Sequence, residues 1–307
     1  MNSVFLNKYG RLHAGWRAAL FFFACVFLQI TFETIFGAVL TVANIDIEQE
    51  RVALWGAGLF VSFVIAVLCG WVLGKFLEDL PFAALGWTFR RGWLRDLLGG
   101  ILLGALTMLL ACGICLAAGA MHFKWNEQSG VRGTLLGAAV MFLLGAAAEE
   151  SLFRGYLLQT LARAGLAWLA ILITSIIFAM AHMANPHSSY LGLVNTVLAG
   201  LWFSVAYLKT RSLWLPFAAH FAWNWFQGAI LGIPVSGIIS VTPAPLFLST
   251  DSGPEWLTGG TYGLEGGIAC TIALLLSTAL IWFLPLFKAD ENMMRLTSKE
   301  SNTMNNG

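Results

Sequence analysis

Five polar positions stand out in an otherwise apolar chain. Glu149 and Glu150 adjoin in "AAAEESLFRGYLL", residues 146–158, and His182, His220 and Asn224 follow further along. Ionisable groups inside apolar helices are costly, so their presence indicates function. Carboxylates and imidazoles together can activate a water for attack on a carbonyl carbon. The residue types therefore predict a hydrolytic site with Glu149, His182, His220 and Asn224 as its catalytic residues.

Helical spacing separates the two carboxylates. Glu150 and Arg154 are four residues apart, which places them on one helix face within reach of an ion pair. Glu149 is rotated by about 100° from Glu150 and has no such neighbour, so we expect it to face the interior as a general base. If the helices before and after Gly165 form an antiparallel hairpin, His182 lies at nearly the same depth as Glu149.

Two chemical routes fit this set, and the spacing leaves both open. In the first, Glu149, His182 and His220 bind a divalent metal such as zinc, which activates a bound water. In the second, Glu149 and His182 polarise water directly, while His220 and Asn224 donate hydrogen bonds to the developing oxyanion. The chain has neither the HExxH pattern of zincins nor the GxSxG pattern of serine hydrolases.

The composition of the chain indicates that these residues lie within a membrane protein. The chain has 307 residues, of which 58% are hydrophobic and 11% charged, and this balance is typical of an integral membrane protein. Eight apolar runs have the length of about 17 to 25 residues that crosses a bilayer as a helix. They are approximately 17–42, 52–77, 97–121, 134–160, 166–184, 190–208, 213–232 and 267–287. We expect an all-α, polytopic helical bundle in the cell membrane, surrounded by lipid and without a nucleic-acid partner.

Basic residues predict the orientation and the domain organisation. With eight spans, 14 of the 17 Lys and Arg residues fall on one side, so both termini should be cytoplasmic. Residues 1–132 would hold three spans and an interfacial amphipathic segment around Arg90, Arg91 and Arg95. Residues 133–232 would form a four-helix catalytic core, and 233–266 an irregular external loop with no catalytic residue. The last span and a disordered cytoplasmic tail would occupy 267–307.

Three motifs resemble those of one family. "EESLFR" (149–154) matches EExxxR, "FAMAH" (178–182) matches FxxxH, and "HFAWN" (220–224) matches HxxxN of the CPBP family, which includes CAAX proteases and bacteriocin-processing enzymes of Abi type. The resemblance implies an intramembrane endopeptidase whose cavity opens toward the cytoplasm. It further implies that Glu149 is the general base, that His182 is its partner or a metal ligand, and that His220 and Asn224 act on the oxyanion or metal side. Glu150, Arg154 and Phe178 would be supporting residues.

The substrate implied by this resemblance is a membrane-associated peptide or protein, of the prenylated CAAX type or the bacteriocin type. A different class of function uses the same cavity without chemistry: an immunity or scaffold protein that binds a peptide. A proton-coupled transporter is a third reading of the buried carboxylates. Against it, the sequence has no inverted repeat and no paired broken helices.

Overall fold

The computed structural model describes residues 4–46 and 50–298, and most of them are helical. The helices are α1 (Ala14–Val42), α2 (Arg51–Glu78), α3 (Trp93–Ala117), α4 (Val131–Glu150), α5 (Leu158–Arg163), α6 (Ala167–Ala181), α7 (Tyr190–Thr210), α8 (Trp214–Trp225), α9 (Glu255–Thr258), α10 (Ile268–Phe283) and α11 (Glu291–Thr297). A π-helical segment, Ser151–Leu157, joins α4 to α5, and a second one, Phe226–Ile230, extends α8.

The chain is a polytopic membrane protein. Among the described residues, five helical stretches are long and apolar enough to cross a bilayer: α1, α2, α3, α7 and the continuous run Val131–Arg163. The other three predicted spans are helical but short, with 15 residues in α6, 12 in α8 and 16 in α10. At 1.5 Å per residue these three are shorter than a hydrocarbon core of about 30 Å. Of the eight predicted spans, five are therefore long enough, within the described residues, to cross the bilayer as single helices.

The two ends of the bundle differ in composition. The basic end, as we call it, carries the connections 79–92, 164–166 and 211–213, together with residues 284–298. The cap end carries 118–130, 182–189 and 231–267. Contacts between distant segments define these ends: Leu213 bonds to Gly86 and Arg163 pairs with Glu78 at the basic end, and residues 121–125 pair with residues 247–251 at the cap end. Successive helices therefore run in opposite directions.

Glycine residues allow α3 and α8 to pack with their backbones in contact. A Cβ atom added at Gly104 would lie 2.2 Å from the carbonyl oxygen of Ala219, and one added at Gly100 would lie 2.5 Å from that of Leu215. A side chain at either position would push the helices apart, as expected for small residues at membrane helix interfaces. This contact fixes α8, and therefore His220, against α3.

Two corrections apply to the fold expected from sequence. The chain is not all-α, because Met121–Trp125 (β1) and Phe247–Asp251 (β2) form an antiparallel two-stranded sheet at the cap end. The segment 233–266 is accordingly not an irregular loop throughout. It holds β2, α9 and short 3₁₀ turns. The predicted disordered tail, 298–307, lies outside the described residues except for Ser298.

The segment predicted to lie on the membrane surface is buried at its centre and exposed at Phe82, Phe89 and Arg91. Ala84, Leu85 and Gly86 are buried, and the amide of Leu213 donates to the carbonyl of Gly86. The Trp87 indole donates to the hydroxyl of Ser151 at 2.9 Å, directly beside the two carboxylates. The small residues at its centre allow it to insert between α2 and α8, and its interfacial position stays a prediction.

A group of buried charges closes the basic end. The Glu78 carboxylate of α2 pairs with Arg17 of α1 at 2.6 Å and with Arg163 of α5 at 2.7 Å, and it also accepts from the Thr160 hydroxyl. All three ionic side chains are almost fully buried. Buried charges persist in proteins when they are paired in this way, so this group fixes α1, α2 and α5 relative to one another.

Candidate active site

One cavity of about 590 Å³ brings together most of the residues singled out in the sequence. Glu149 of α4, Phe178 of α6, His182, and His220 with Asn224 of α8 all line it. Glu150 and Arg154 stand behind this lining, completely buried. The antiparallel packing of α4, α6, α7 and α8 therefore produces the convergence that helical counting predicted.

His220 lies between the two adjacent carboxylates. Its Nδ1 is 3.0 Å from Oε1 of Glu150, and its Nε2 is 3.7 Å from Oε2 of Glu149. Because the Glu150 carboxylate accepts hydrogen bonds, Nδ1 carries the hydrogen. The Nε2 atom, without a hydrogen, faces Glu149 and the cavity. The distance of 3.7 Å is too long for a direct hydrogen bond. Oε2 of Glu149 is buried and has no hydrogen-bond partner within the described part of the chain.

Arg154 holds Glu150 in place. Its Nη1 donates to Oε1 of Glu150 at 2.9 Å, and its Nη2 donates to the carbonyl of Gly200 at 3.1 Å. The guanidinium also lies over the Phe178 and Phe203 rings, at 4.6 and 5.1 Å from their centroids. A guanidinium in such an aromatic environment neutralises the buried carboxylate and orients it toward His220.

His182 has the same tautomer as His220, with the hydrogen on Nδ1. It is the first residue after α6, and its Nδ1 is 2.8 Å from the carbonyl oxygen of Phe178. A carbonyl oxygen only accepts, so Nδ1 bears the hydrogen and Nε2 is free to accept one. The Phe178 ring lies 4.6 Å from the imidazole, centroid to centroid. The FxxxH spacing thus supplies both the backbone acceptor and the ring that orients His182.

Asn224 and Trp202 supply candidate donors. Asn224 lines the cavity one helical turn after His220. Trp202 of α7 also lines it, is completely buried, and its indole N–H has no hydrogen-bond partner among the described residues. A buried polar group without a partner is rare and calls for a ligand or a water. Sequence reasoning missed Trp202, because a tryptophan in an apolar helix gives no signal that separates it from packing.

Glu265 is a second lining residue that the sequence did not reveal. It belongs to the segment in which no catalytic residue was expected. Its carboxylate accepts from the Trp223 indole at 3.1 Å and from the hydroxyl of Ser236 at 2.8 Å. Burial is the main cause, and the charge of Glu265 the next, that raises the pKa of the neighbouring Tyr262 to about 12. The Tyr262 hydroxyl therefore stays protonated. The hydrogen bonds from Trp223 and Ser236 therefore position Glu265 at the cap end of the cavity.

The donor types of the site suit zinc, but their arrangement does not. Glutamate and the Nε2 atoms of two histidines are ordinary zinc ligands. Within residues 4–46 and 50–298, however, no three His, Cys, Asp or Glu side chains stand close enough together to hold a metal ion. The proposed set Glu149, His182 and His220 thus lacks the geometry of a three-ligand site, and the reaction steps below are assigned to the side chains alone.

Comparison with known proteins places this site in a family. Residues 131–226, from the start of α4 to the end of α8, match the family model described as type II CAAX prenyl endopeptidase Rce1-like. These residues form a CAAX endopeptidase family domain. All the sequence-derived site residues of this CAAX endopeptidase domain lie inside the match, whereas Glu33, Trp55 and Glu265, which line the same cavity, lie outside it.

Further comparisons add little about function. An uncharacterized 24.3 kDa protein of Escherichia coli is 28% identical over 183 residues, a region that covers 57% of this chain and 82% of the relative. No solved structure matches the chain. The family domain is therefore the comparison that bears on activity.

Proposed function

We propose that this protein is an intramembrane endopeptidase that cleaves a membrane-associated peptide through water activated by Glu149. The observation that carries the proposal is the buried Oε2 of Glu149, which lacks a hydrogen-bond partner in the described structure and lies 3.7 Å from Nε2 of His220 at the wall of a cavity. Membership of residues 131–226 in the CAAX endopeptidase family supports the same reaction class.

The first step is removal of a proton from water. The Glu149 carboxylate accepts this proton, and Nε2 of a histidine accepts a hydrogen bond from the remaining O–H. The water oxygen then forms a bond to the substrate carbonyl carbon, whose C=O electron pair moves onto the carbonyl oxygen and gives a tetrahedral oxyanion. Glu150 keeps His220 in the required tautomer, because its carboxylate accepts the Nδ1 hydrogen. We therefore assign His220 to orientation of the water, rather than to the oxyanion role that sequence spacing also allowed.

The second step is collapse of the tetrahedral intermediate. The side-chain amide of Asn224 and the free indole N–H of Trp202 are the donors that would stabilise its oxyanion. The protonated Glu149 then gives its proton to the departing amine nitrogen, which restores the carboxylate. One water is consumed, and the peptide bond is replaced by a carboxylic acid and an amine.

The experiment compares the wild-type protein with Glu149→Gln, which keeps the shape of the side chain but removes the base. Each purified full-length protein is incubated in proteoliposomes with a peptide library anchored in the membrane, and new termini are identified by mass spectrometry. We expect wild type to generate termini that Glu149→Gln does not. Glu255→Gln, an exposed change outside the cavity, is the matched control and should cleave like wild type. Equal cleavage by Glu149→Gln would refute the proposal.

If wild type itself produces no new termini while binding peptides from the library, the non-enzymatic alternative gains support. An immunity or scaffold protein would bind equally well with Glu149→Gln, because a neutral amide preserves the shape of the cavity wall. Binding of the same peptides to both proteins, measured in parallel, separates the two classes.

A further inference from the structure

The charged groups that line the cavity are all acidic. They are Glu33 of α1, Glu149 of α4 and Glu265 of the cap-end segment, and no Lys or Arg lines the cavity within the described part of the chain. The Arg154 guanidinium behind the lining is paired with Glu150. A positively charged group of a bound peptide would therefore be attracted into this cavity, and a negatively charged one repelled.

The three lining carboxylates are held in different ways. Glu149 is the base of the proposed reaction, and its Oε2 faces Nε2 of His220. Glu33 is exposed, and its carboxylate accepts from Gln29, a residue of the same helix, at 2.8 Å. Glu265 is instead bound by residues of other elements, which makes it the carboxylate best placed to recognise a ligand.

Both the backbone and the side chain of Glu265 are fixed. Asn195 of α7 donates to the Glu265 carbonyl at 2.8 Å. In the carboxylate, Oε1 accepts from the indole of Trp223, and Oε2 accepts from the amide and the hydroxyl of Ser236. All these partners are donors, as suits an ionised carboxylate, and each of its oxygens has about two acceptor sites. Oε1 therefore retains capacity for a donor that enters the cavity.

Indole rings accompany this carboxylate in the cavity wall. Trp223, which donates to Glu265, packs against Trp202 with ring centroids 6.0 Å apart. Both rings line the cavity and are almost fully buried. Carboxylates attract cations by charge and indole rings attract them through their negative faces, so this part of the wall suits an ammonium or a guanidinium group.

The indole N–H of Trp202 indicates that the ligand also supplies an acceptor. This group is completely buried at the cavity wall and has no hydrogen-bond partner among the described residues. A peptide carbonyl oxygen would satisfy it, and in the proposed reaction that carbonyl belongs to the cleaved bond. Because Trp202 contacts Trp223 and Trp223 contacts Glu265, the carbonyl and the cation would come from neighbouring residues of one peptide.

We propose that Glu265 is the specificity-determining residue of this cavity and binds a Lys or Arg side chain close to the cleaved peptide bond. The substrate class is then a membrane-associated peptide with a basic residue beside that bond. This inference rests on the proposed function for the presence of a peptide in the cavity. Glu265 lies outside residues 131–226, so the match to the family model assigns it no role.

Equilibrium binding tests the charge preference without any cleavage. The full-length Glu149→Gln protein, which lacks the base, is reconstituted in nanodiscs. The probes are membrane-anchored peptides that carry Lys, norleucine or Glu at one position, and this position is moved in turn along the centre of the peptide. Their N-termini are acetylated, so a side chain must supply any positive charge. Dissociation constants are compared within each set of three peptides.

At one position we expect the Lys peptide to bind about tenfold more tightly than the norleucine peptide, as for a hydrogen bond to a charged group. The Glu peptide should bind more weakly than either. Adding Glu265→Gln should abolish the difference between Lys and norleucine. Adding Ser236→Ala, the matched control, removes one donor to Glu265 but keeps its charge, so the difference should remain. Equal binding of Lys and norleucine at every position, or a preference that survives Glu265→Gln, would overturn the proposal.

Chemical coupling locates the bound cation even if Glu265→Gln does not fold. A carbodiimide joins a carboxylate to an amine in direct contact with it, and mass spectrometry identifies the two linked residues. The Lys peptide bound to the Glu149→Gln protein should become linked to Glu265. Linkage to Glu33 instead, or no linkage, would overturn the proposal.

The binding result and the proposed function can fail separately. Because binding is measured in the Glu149→Gln protein, a wild-type protein that cleaves no peptide would refute the peptidase and leave the charge preference standing. Conversely, wild-type cleavage of the Lys and norleucine peptides with equal kcat/KM would refute the role of Glu265 and leave the peptidase standing.

Discussion

The buried pair of Glu150 and Arg154 makes a quantitative prediction about stability. Replacing Arg154 by Met keeps most of the side-chain volume but removes the hydrogen bonds to Glu150 and to the carbonyl of Gly200. The Glu150 carboxylate is then left fully buried with His220 as its remaining partner. Breaking a buried ion pair from one side costs about 3–5 kcal/mol. We expect Arg154→Met to lower the free energy of unfolding by that amount.

The double variant Glu150→Gln/Arg154→Met should recover most of this loss, because no unpaired charge remains in the interior. The assay is equilibrium unfolding in mixed micelles of detergent and SDS, followed by the reactivity of buried thiols. Four are buried: Cys25, Cys112, Cys115 and Cys270. Lys75→Met is the control, since Lys75 and Asp79 have the same four-residue spacing but are exposed, and it should change stability little. A double variant as unstable as Arg154→Met would refute the reasoning.

Three further outcomes are expected of the peptidase activity. Gly104→Ala should lower kcat/KM by about 100-fold, because its Cβ would force α8 and His220 to move, whereas Gly113→Ala on the same helix meets open space and should not. Glu33→Gln should lower kcat/KM for a lysine-flanked peptide by about two- to fivefold, relative to its effect on a neutral peptide. The reason is that the described lining of the cavity contains carboxylates and neither Lys nor Arg. A chelator should leave kcat/KM unchanged in protein purified without added metal, and a loss that zinc restores would contradict the assignment of the steps to side chains alone.

Local periodicity predicted the parts of the site that lie within one helix. The i and i+4 spacing placed Glu150 against Arg154 and put His220 on the same face as Asn224, because helix geometry fixes such neighbours whatever the fold. Counting from the turn at Gly165 also placed His182 near the depth of Glu149. It did not predict that α6 ends at Ala181, which makes His182 a residue of the cap end.

Contacts between distant segments could not be predicted in this way. Glu265 reaches the cavity because Trp223 and Ser236 hold it there, and no spacing rule connects these three positions. The position of His220 between the two carboxylates depends on how closely α8 approaches α3. That approach is set by Gly104, whose role is visible only when the carbonyl of Ala219 is placed beside it.

The ionic group at the basic end also orders the biosynthesis of the bundle. Arg17 leaves the ribosome before Glu78, whereas Arg163, the second cation of this group, is 85 residues beyond Glu78. Charges that enter lipid without a partner are unstable, so the hairpin of α1 and α2 can settle as a neutral unit through Arg17 and Glu78 alone. α6 and α8, which position the two histidines, are translated later and pack against a hairpin of α1 and α2 that is already inserted in the bilayer.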